Sequence, residues 1–155
     1  MLICCDNQVL EDANIKEAAQ AIVFGALANS GQVRTNSFKV QVTSHHDQVC
    51  MSTERVIVHE SIAENLISSI KEIASALKAG DTSVDSNCQL GPLVSESSAR
   101  RIIDAVKKSQ DSGAQVILGN LTRDKAIVQP HILTGVKPGM SLWEEESFGP
   151  GIIHC

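Results

Sequence analysis

The 155-residue sequence is poor in aromatic side chains and has no excess of positive charge. It contains no tyrosine, one tryptophan and three phenylalanines, and its formal net charge is −5. A nucleic-acid-binding surface usually combines a basic patch with aromatic rings on which bases stack. Because both features are scarce, nucleic acid is not an expected partner.

Long apolar runs are also missing. No window approaches the roughly 18 consecutive apolar residues that a membrane-spanning helix needs. The first residues, MLICCDNQ, lack the basic region and the long apolar region of a secretory signal peptide. We therefore expect no membrane association.

The cysteines form no recognisable framework. Their irregular spacing contains no C-x-x-C pair, and it fits neither a set of disulfides nor a zinc ribbon. The five are Cys4, Cys5, Cys50, Cys88 and Cys155. This pattern is typical of free thiols in a reducing compartment, so we expect a cytoplasmic protein.

Strand-like and helix-like patterns alternate along the chain. Strands are predicted at 55–59, 115–118 and 129–133, and helices at 14–31, 61–78 and about 95–112. This alternation predicts an α/β fold with an open, mainly parallel twisted sheet flanked by helices. Both ends are abrupt, since the chain begins in an apolar run and ends in a strand-like one. We therefore expect a piece of a larger protein.

The segment that follows Ser61 is the most clearly specified helix. Ser61 and Glu64 have the spacing of a capping box, and Gly80 is expected to end the helix. Its apolar residues recur at helical spacing and predict one buried stripe. They are Ile62, Leu66, Ile70, Ile73 and Leu77.

Cys50 allows three interpretations: a nucleophile, a metal ligand beside His45, His46 and Asp47, or an ordinary thiol. Adjacent histidines in a strand point to opposite faces, and a structural zinc site needs four ligands. We therefore expect no metal. Taken alone, the residues do not decide between a nucleophile and a buried thiol.

Several short segments, taken in order, resemble the NAD(P)-dependent aldehyde dehydrogenase family. They are LEDANI (10–15), NSGQ (29–32), CMSTERVIV (50–58), KAGD (78–81), LGPL (90–93), GAQVILG (113–119) and EESFGP (145–150). The run CMSTERVIV is most similar to salicylaldehyde- or vanillin-type members. Each motif is short, but the ordered series extends over nearly the whole chain apart from residues 33–48.

The resemblance implies that the parent enzyme oxidises a small-molecule aldehyde to its acid with NAD or NADP. Cys50 corresponds to the catalytic nucleophile, whose thiolate attacks the aldehyde carbonyl. Glu146 corresponds to the glutamate that hydrogen-bonds the nicotinamide-side ribose, and Phe148 to the aromatic residue packed beside that ribose. The resemblance also implies a possible homo-oligomer, because the family assembles through catalytic-domain surfaces.

Residues 1–155 are accordingly interpreted as a partial catalytic domain. The resemblance implies that the nucleotide-binding domain, the glutamate that activates water and the asparagine of the oxyanion hole are absent. In the family the glutamine of NSGQ precedes the cysteine by two residues, whereas Gln32 and Cys50 are 18 apart (50 − 32). Residues 33–48 are therefore interpreted as an atypical insert, either a recent insertion or a translated non-coding stretch. We expect this insert to be mobile, exposed and free of metal.

Two functions remain open at this stage. The first is a fragment of an aldehyde dehydrogenase that is inactive as an isolated chain, because catalytic groups are missing. The second is a non-catalytic interaction or oligomerisation module derived from the same family.

Overall fold

The computed structural model describes residues 5–32 and 52–154. Their strands are β1 (Cys5–Val9), β2 (Thr53–Val58), β3 (Gln115–Leu118), β4 (Arg123–Asp124), β5 (Ile127–Val128), β6 (His131–Thr134) and β7 (Gly151–His154). Their helices are α1 (Ile15–Leu27), α2 (Glu60–Ser75), α3 (Glu96–Asp111) and α4 (Ser141–Glu144), with a 3₁₀ turn at Ala28–Gly31. No helix within these two ranges is long and apolar enough to cross a membrane. The insert and Cys50 lie outside the described residues.

Five strands form one sheet in the order β1-β2-β7-β6-β3. Neighbouring strands are parallel except for β3, which is antiparallel to β6. Parallel neighbours cannot be joined by a tight hairpin and need a longer connection. Between β1 and β2 this connection contains α1. Strands β4 and β5 pair separately as a short antiparallel ladder. The predicted α/β fold with a mainly parallel sheet is confirmed.

Helices cover both faces of this sheet. Successive strand residues point to opposite faces, so neighbouring positions enter different cores. Ile132 and Ile152 pack in the cluster formed with α1 and α2. Leu133 and Ile153, the next residues on the same strands, pack in the cluster formed with α3. The alternation places hydrophobic side chains of β6 and β7 on both sides, as expected for a buried parallel sheet.

Helix α2 has the predicted apolar stripe but not the predicted ends. Leu66, Ile70 and Ala74 are buried, and Ile62, Ile73 and Leu77 are partly buried against the same cluster. The capping box is wrong. Strand β2 ends at Val58, so His59 takes the N-cap position of α2. Its Nδ1 accepts a hydrogen bond from the Ser61 N–H at 3.4 Å.

The expected stop at Gly80 is also wrong, since α2 ends at Ser75. The backbone N–H of Gly80 instead donates to the carbonyl of Leu90 at 2.9 Å. Gly80 therefore belongs to the connection between α2 and α3, where it pairs with the Leu90 segment.

Side chains also cap the other two long helices, which begin at Ile15 and Glu96, close to the predicted starts. The Asn14 side chain accepts hydrogen bonds from the N–H groups of Lys16 and Glu17, which would otherwise lack partners at the start of α1. Ser95 does the same for α3, accepting from the Ser98 N–H at 3.1 Å. Both caps involve residues close in sequence.

His131 is a buried titratable residue in the sheet. Its Nδ1 donates to the Gln129 carbonyl at 2.7 Å, and its Nε2 accepts from the Leu121 N–H at 3.3 Å. A ring that both donates and accepts in this way is neutral. Burial lowers the pKa of His131 below its ordinary 6.5, although the Gln129 carbonyl opposes the shift.

The chain is therefore expected to lose stability as the pH falls below the ordinary histidine value of about 6.5. Above that value both folded and unfolded His131 are neutral, and the full stability is present. Below it the unfolded chain takes up a proton that folded His131 refuses, which removes up to about 1.4 kcal/mol per pH unit. Urea unfolding between about pH 8 and pH 5.5 measures this slope.

The matched control is His131→Gln, whose uncharged amide does not titrate. The variant is expected to show a shallower decline over the same pH range. The pKa of His154 is also lowered by burial, and this residue contributes equally to both proteins. Identical slopes for the two proteins would show that His131 is not the source.

Candidate active site

Since Cys50 lies outside the described residues, the site is defined by the segments on either side of it. NSGQ (29–32) follows α1, and β2 begins at Thr53. Asn29, Ser30 and Gly31 have φ angles of 49°, 56° and 71°, which place three successive residues in the left-handed region. Non-glycine residues adopt this region at a cost of roughly 1–2 kcal/mol each. Surrounding contacts must therefore hold the turn.

Hydrogen bonds to a distant segment hold this turn. Ser30 Oγ donates to the carbonyl of Gly91 at 2.7 Å. The side-chain oxygen of Gln32 accepts from the N–H of Val94 at 2.8 Å. The NSGQ and LGPL motifs, about 60 residues apart in sequence, thus lie side by side.

Two glycines bring the turn against the loop of residues 145–150. A Cβ atom at Gly31 would overlap the carbonyl of Gly149, and a Cβ atom at Gly149 would overlap the side chain of Ile102 on α3. Glycine is thus required sterically at Gly31, where the obstacle is backbone, whereas a side chain at Gly149 would force Ile102 to shift. The close approach places the EESFGP motif directly beside NSGQ.

Glu54 fastens the same loop to β2. This residue is 5% exposed. Its Oε1 accepts from the Ser147 N–H at 3.0 Å, from Ser147 Oγ at 3.2 Å and from the Phe148 N–H at 3.1 Å. A buried carboxylate is stable only when donors replace its lost water, and this loop provides three.

Two arginines also contact this part of the chain. Arg101 donates to the carbonyls of Glu146 and Ser147 at 3.1 and 2.8 Å. Arg55 donates to the carbonyl of Trp143 at 3.1 Å, and its guanidinium carbon lies 5.0 Å from the centre of the Trp143 ring system. The exposed side chain of Arg101 thereby ties α3 to the loop.

The two predicted cofactor residues, Glu146 and Phe148, lie together in this anchored loop. Both are half-buried, and Phe148 has a left-handed backbone with φ of 47°. Sequence reasoning missed Glu54 and Arg101 as the residues that hold them. One signal could have found Glu54: it alternates with Val56 and Val58, so it lies on the same face of β2 as these core residues, where an acidic side chain is unusual. Arg101 had no comparable signal.

A separate charged group lies after α2. Lys78 Nζ is 2.8 Å from Asp85, and this hydrogen bond lowers the pKa of Asp85 to about 2 and raises that of Lys78. Burial raises the pKa of the neighbouring Cys88 thiol, and Asp85 adds to that rise. Cys88 is therefore a protonated, buried thiol at neutral pH.

Metal ligation finds no support in the two described ranges. No group of three or more histidine, cysteine, aspartate or glutamate side chains there is arranged to hold an ion. His45, His46 and Asp47 fall outside those ranges, so the expectation of no metal at Cys50 stays a prediction.

Comparison with known proteins identifies the family. Residues 35–153 match the model of the aldehyde dehydrogenase family. The chain is 39% identical over 149 residues to the salicylaldehyde dehydrogenase of Pseudomonas putida, covering 95% of this chain and 27% of that protein. It is 36% identical over 142 residues to the vanillin dehydrogenase of Pseudomonas fluorescens, covering 92% and 26%. The chain therefore belongs to the aldehyde dehydrogenase family, and the predicted resemblance is confirmed.

A solved structure agrees with this assignment. The NADP-dependent glyceraldehyde-3-phosphate dehydrogenase of Bacillus halodurans C-125, complexed with NADP, is similar with a TM-score of 0.79 and 30% identity. The match covers 96% of this chain and 27% of that one. The chain thus spans about a quarter of the length of the relatives it matches. The family match begins at residue 35, inside residues 33–48, and the interpretation of these residues as an insert stays a prediction.

Proposed function

We propose that this chain forms part of the catalytic domain of a cytoplasmic NAD(P)-dependent aldehyde dehydrogenase, with Cys50 as its nucleophile. The observation that carries the proposal is the contact between three separate motifs. The turn at NSGQ, the start of β2 and the 145–150 loop are joined through Gly31, Gly149 and Glu54. NSGQ and β2 flank Cys50 in the sequence. The 145–150 loop carries Glu146 and Phe148, the predicted ribose contacts.

The reaction would begin when the Cys50 thiolate attacks the aldehyde carbon and forms a C–S bond. Backbone N–H groups near the nucleophile would stabilise the resulting oxyanion. NAD or NADP, when bound, would supply the acceptor for the hydride that leaves this carbon. The remaining thioester at Cys50 is then cleaved by water, which releases the acid and regenerates the thiol.

This chain would provide only a small part of the cofactor-binding surface. Glu146 would hydrogen-bond the nicotinamide-side ribose, and Phe148 would pack beside it. Both side chains are half-buried, so part of each is accessible, and their backbone is fixed by Glu54 and Arg101. These residues fit one edge of the nucleotide. The similarity to salicylaldehyde and vanillin dehydrogenases favours an aromatic aldehyde as substrate. A homo-oligomer of the complete enzyme is part of the same proposal.

The isolated 155-residue chain is expected to give no steady production of NADH. A few ribose contacts cannot offset the several kcal/mol lost when a nucleotide associates. A missing general base would slow thioester hydrolysis by a further ~10²–10⁴-fold. The measurement is absorbance of NADH with salicylaldehyde and NAD, and steady turnover by this chain alone would contradict the proposal.

A joined enzyme provides the positive half of the test. It consists of this chain without residues 33–48, placed between the flanking segments of the P. putida salicylaldehyde dehydrogenase. This joined enzyme is expected to produce NADH. Its matched control retains residues 33–48, 16 residues in all (48 − 33 + 1). Because a misplacement of about 1 Å can cost ~10²-fold, the control is expected to lose at least that factor.

A further inference from the structure

The backbone from Glu146 to Phe148 is held between two opposite charges. Its carbonyl groups at Glu146 and Ser147 accept hydrogen bonds from Arg101 on α3. Its N–H groups at Ser147 and Phe148 donate to Glu54 on β2. The positive Arg101 thus binds carbonyl oxygens and the negative Glu54 binds N–H groups. Together the two side chains fix the orientation of the peptide planes.

The loop conformation needs such support. Phe148 has a left-handed backbone, which an L-residue with a bulky side chain adopts only when its surroundings impose it. Hydrogen bonds to an ionised acceptor are stronger than those between neutral groups. The Glu54 carboxylate makes such a bond with the N–H of Phe148 itself.

We propose that Glu54 is a positioning residue for the cofactor site, acting through the backbone of Ser147 and Phe148. It fixes the two residues, Glu146 and Phe148, that would contact the ribose. It also lies four positions after Cys50 (54 − 50). The proposal rests on the function proposed above. One carboxylate thereby connects the strand that follows the nucleophile to the loop that receives the cofactor.

A positioning role for Glu54 differs in its effects from a general contribution to the stability of the fold. Glu54 accepts from two adjacent N–H groups of a single loop, so its removal releases that loop first. The cluster that contains Val56 and Ile152 is built from apolar side chains, so it is expected to stay packed when the charge of Glu54 is removed. The effect of removing the charge is therefore expected at the loop and not across the fold.

Hydrogen exchange in the 155-residue chain tests the positioning itself. Glu54→Gln keeps the shape of the side chain but removes its charge. The Ser147 and Phe148 amides are expected to exchange about tenfold faster, and Val56 and Ile152 amides at their original rate. Glu64→Gln, an exposed site on α2, is the matched control and is expected to change none of the four. Unchanged loop amides, or equal acceleration of all four, would overturn the proposal.

Kinetics in the joined enzyme test the connection to the cofactor. Glu54→Gln is expected to raise KM for NAD about tenfold while KM for the aldehyde and the melting temperature stay unchanged. Glu54→Asp, which keeps the charge, is expected to recover part of the loss. An unaltered KM for NAD would overturn the proposal. If the joined enzyme with Glu54 intact is inactive, the proposed function fails, and hydrogen exchange still decides whether Glu54 positions the loop.

Discussion

Replacement of Cys50 by alanine in the joined enzyme is expected to abolish NADH production. Without a thiolate, no covalent adduct forms at the aldehyde carbon, and hydride transfer has no tetrahedral intermediate from which to start. Loss of the nucleophile of a covalent mechanism removes the whole route, so the rate should fall at least about 10³-fold.

Cys88→Ala is the matched control for this substitution. Cys88 is buried, and its thiol pKa is raised by that burial, so it offers no thiolate at neutral pH. Its replacement is expected to leave NADH production within about twofold of the parent, because Cys88 lies in the connection between α2 and α3. A Cys50→Ala enzyme that keeps the parental rate would exclude Cys50 as nucleophile.

Alkylation of the 155-residue chain gives an independent view of the same thiol. An activated cysteine should react with iodoacetamide faster than the other four, since the thiolate is the reacting form. Mass spectrometry of tryptic peptides identifies which cysteine is modified first. Preferential labelling of any cysteine other than Cys50 would count against its activation.

Leu66→Asp is expected to unfold the chain. Leu66 is 0% exposed, and its side chain lies in the cluster between α1, α2 and the sheet. Removal of a buried leucine costs about 2–5 kcal/mol, and an unpaired carboxylate in the same space adds several more. Together these losses approach the whole stability of a typical domain, about 5–15 kcal/mol.

Leu10→Asp is the matched control, because Leu10 is 65% exposed and the chemical change is identical. Circular dichroism and thermal melting compare the two variants with the parent chain. Leu66→Asp should show no cooperative melting transition, whereas Leu10→Asp should melt close to the parent. A wild-type spectrum and melting curve for Leu66→Asp would refute the packing of α2 on the sheet.

Local interactions explain which elements were predictable. Asn14 caps α1 through N–H groups two and three residues away, so the start of this helix is visible in a few consecutive residues. The apolar stripe of α2 repeats at helical spacing, so it too is visible in the sequence. The cap of α2 was missed because β2 ends directly before it, and this neighbour makes His59 the capping residue. A capping motif does not reveal where the preceding strand stops.

The sequence alone was enough to recognise the family and the alternation that produces a mainly parallel sheet. Through the family resemblance it also predicts roles for Cys50, Glu146 and Phe148. The motifs that carry this information are short and contiguous. The contacts of Glu54 and Arg101 with the 145–150 loop became visible only in the folded chain. Glu54 is 93 residues from Ser147, and Arg101 is 45 residues from Glu146. Contacts at such separations depend on how strands and helices pack, and no local spacing encodes them.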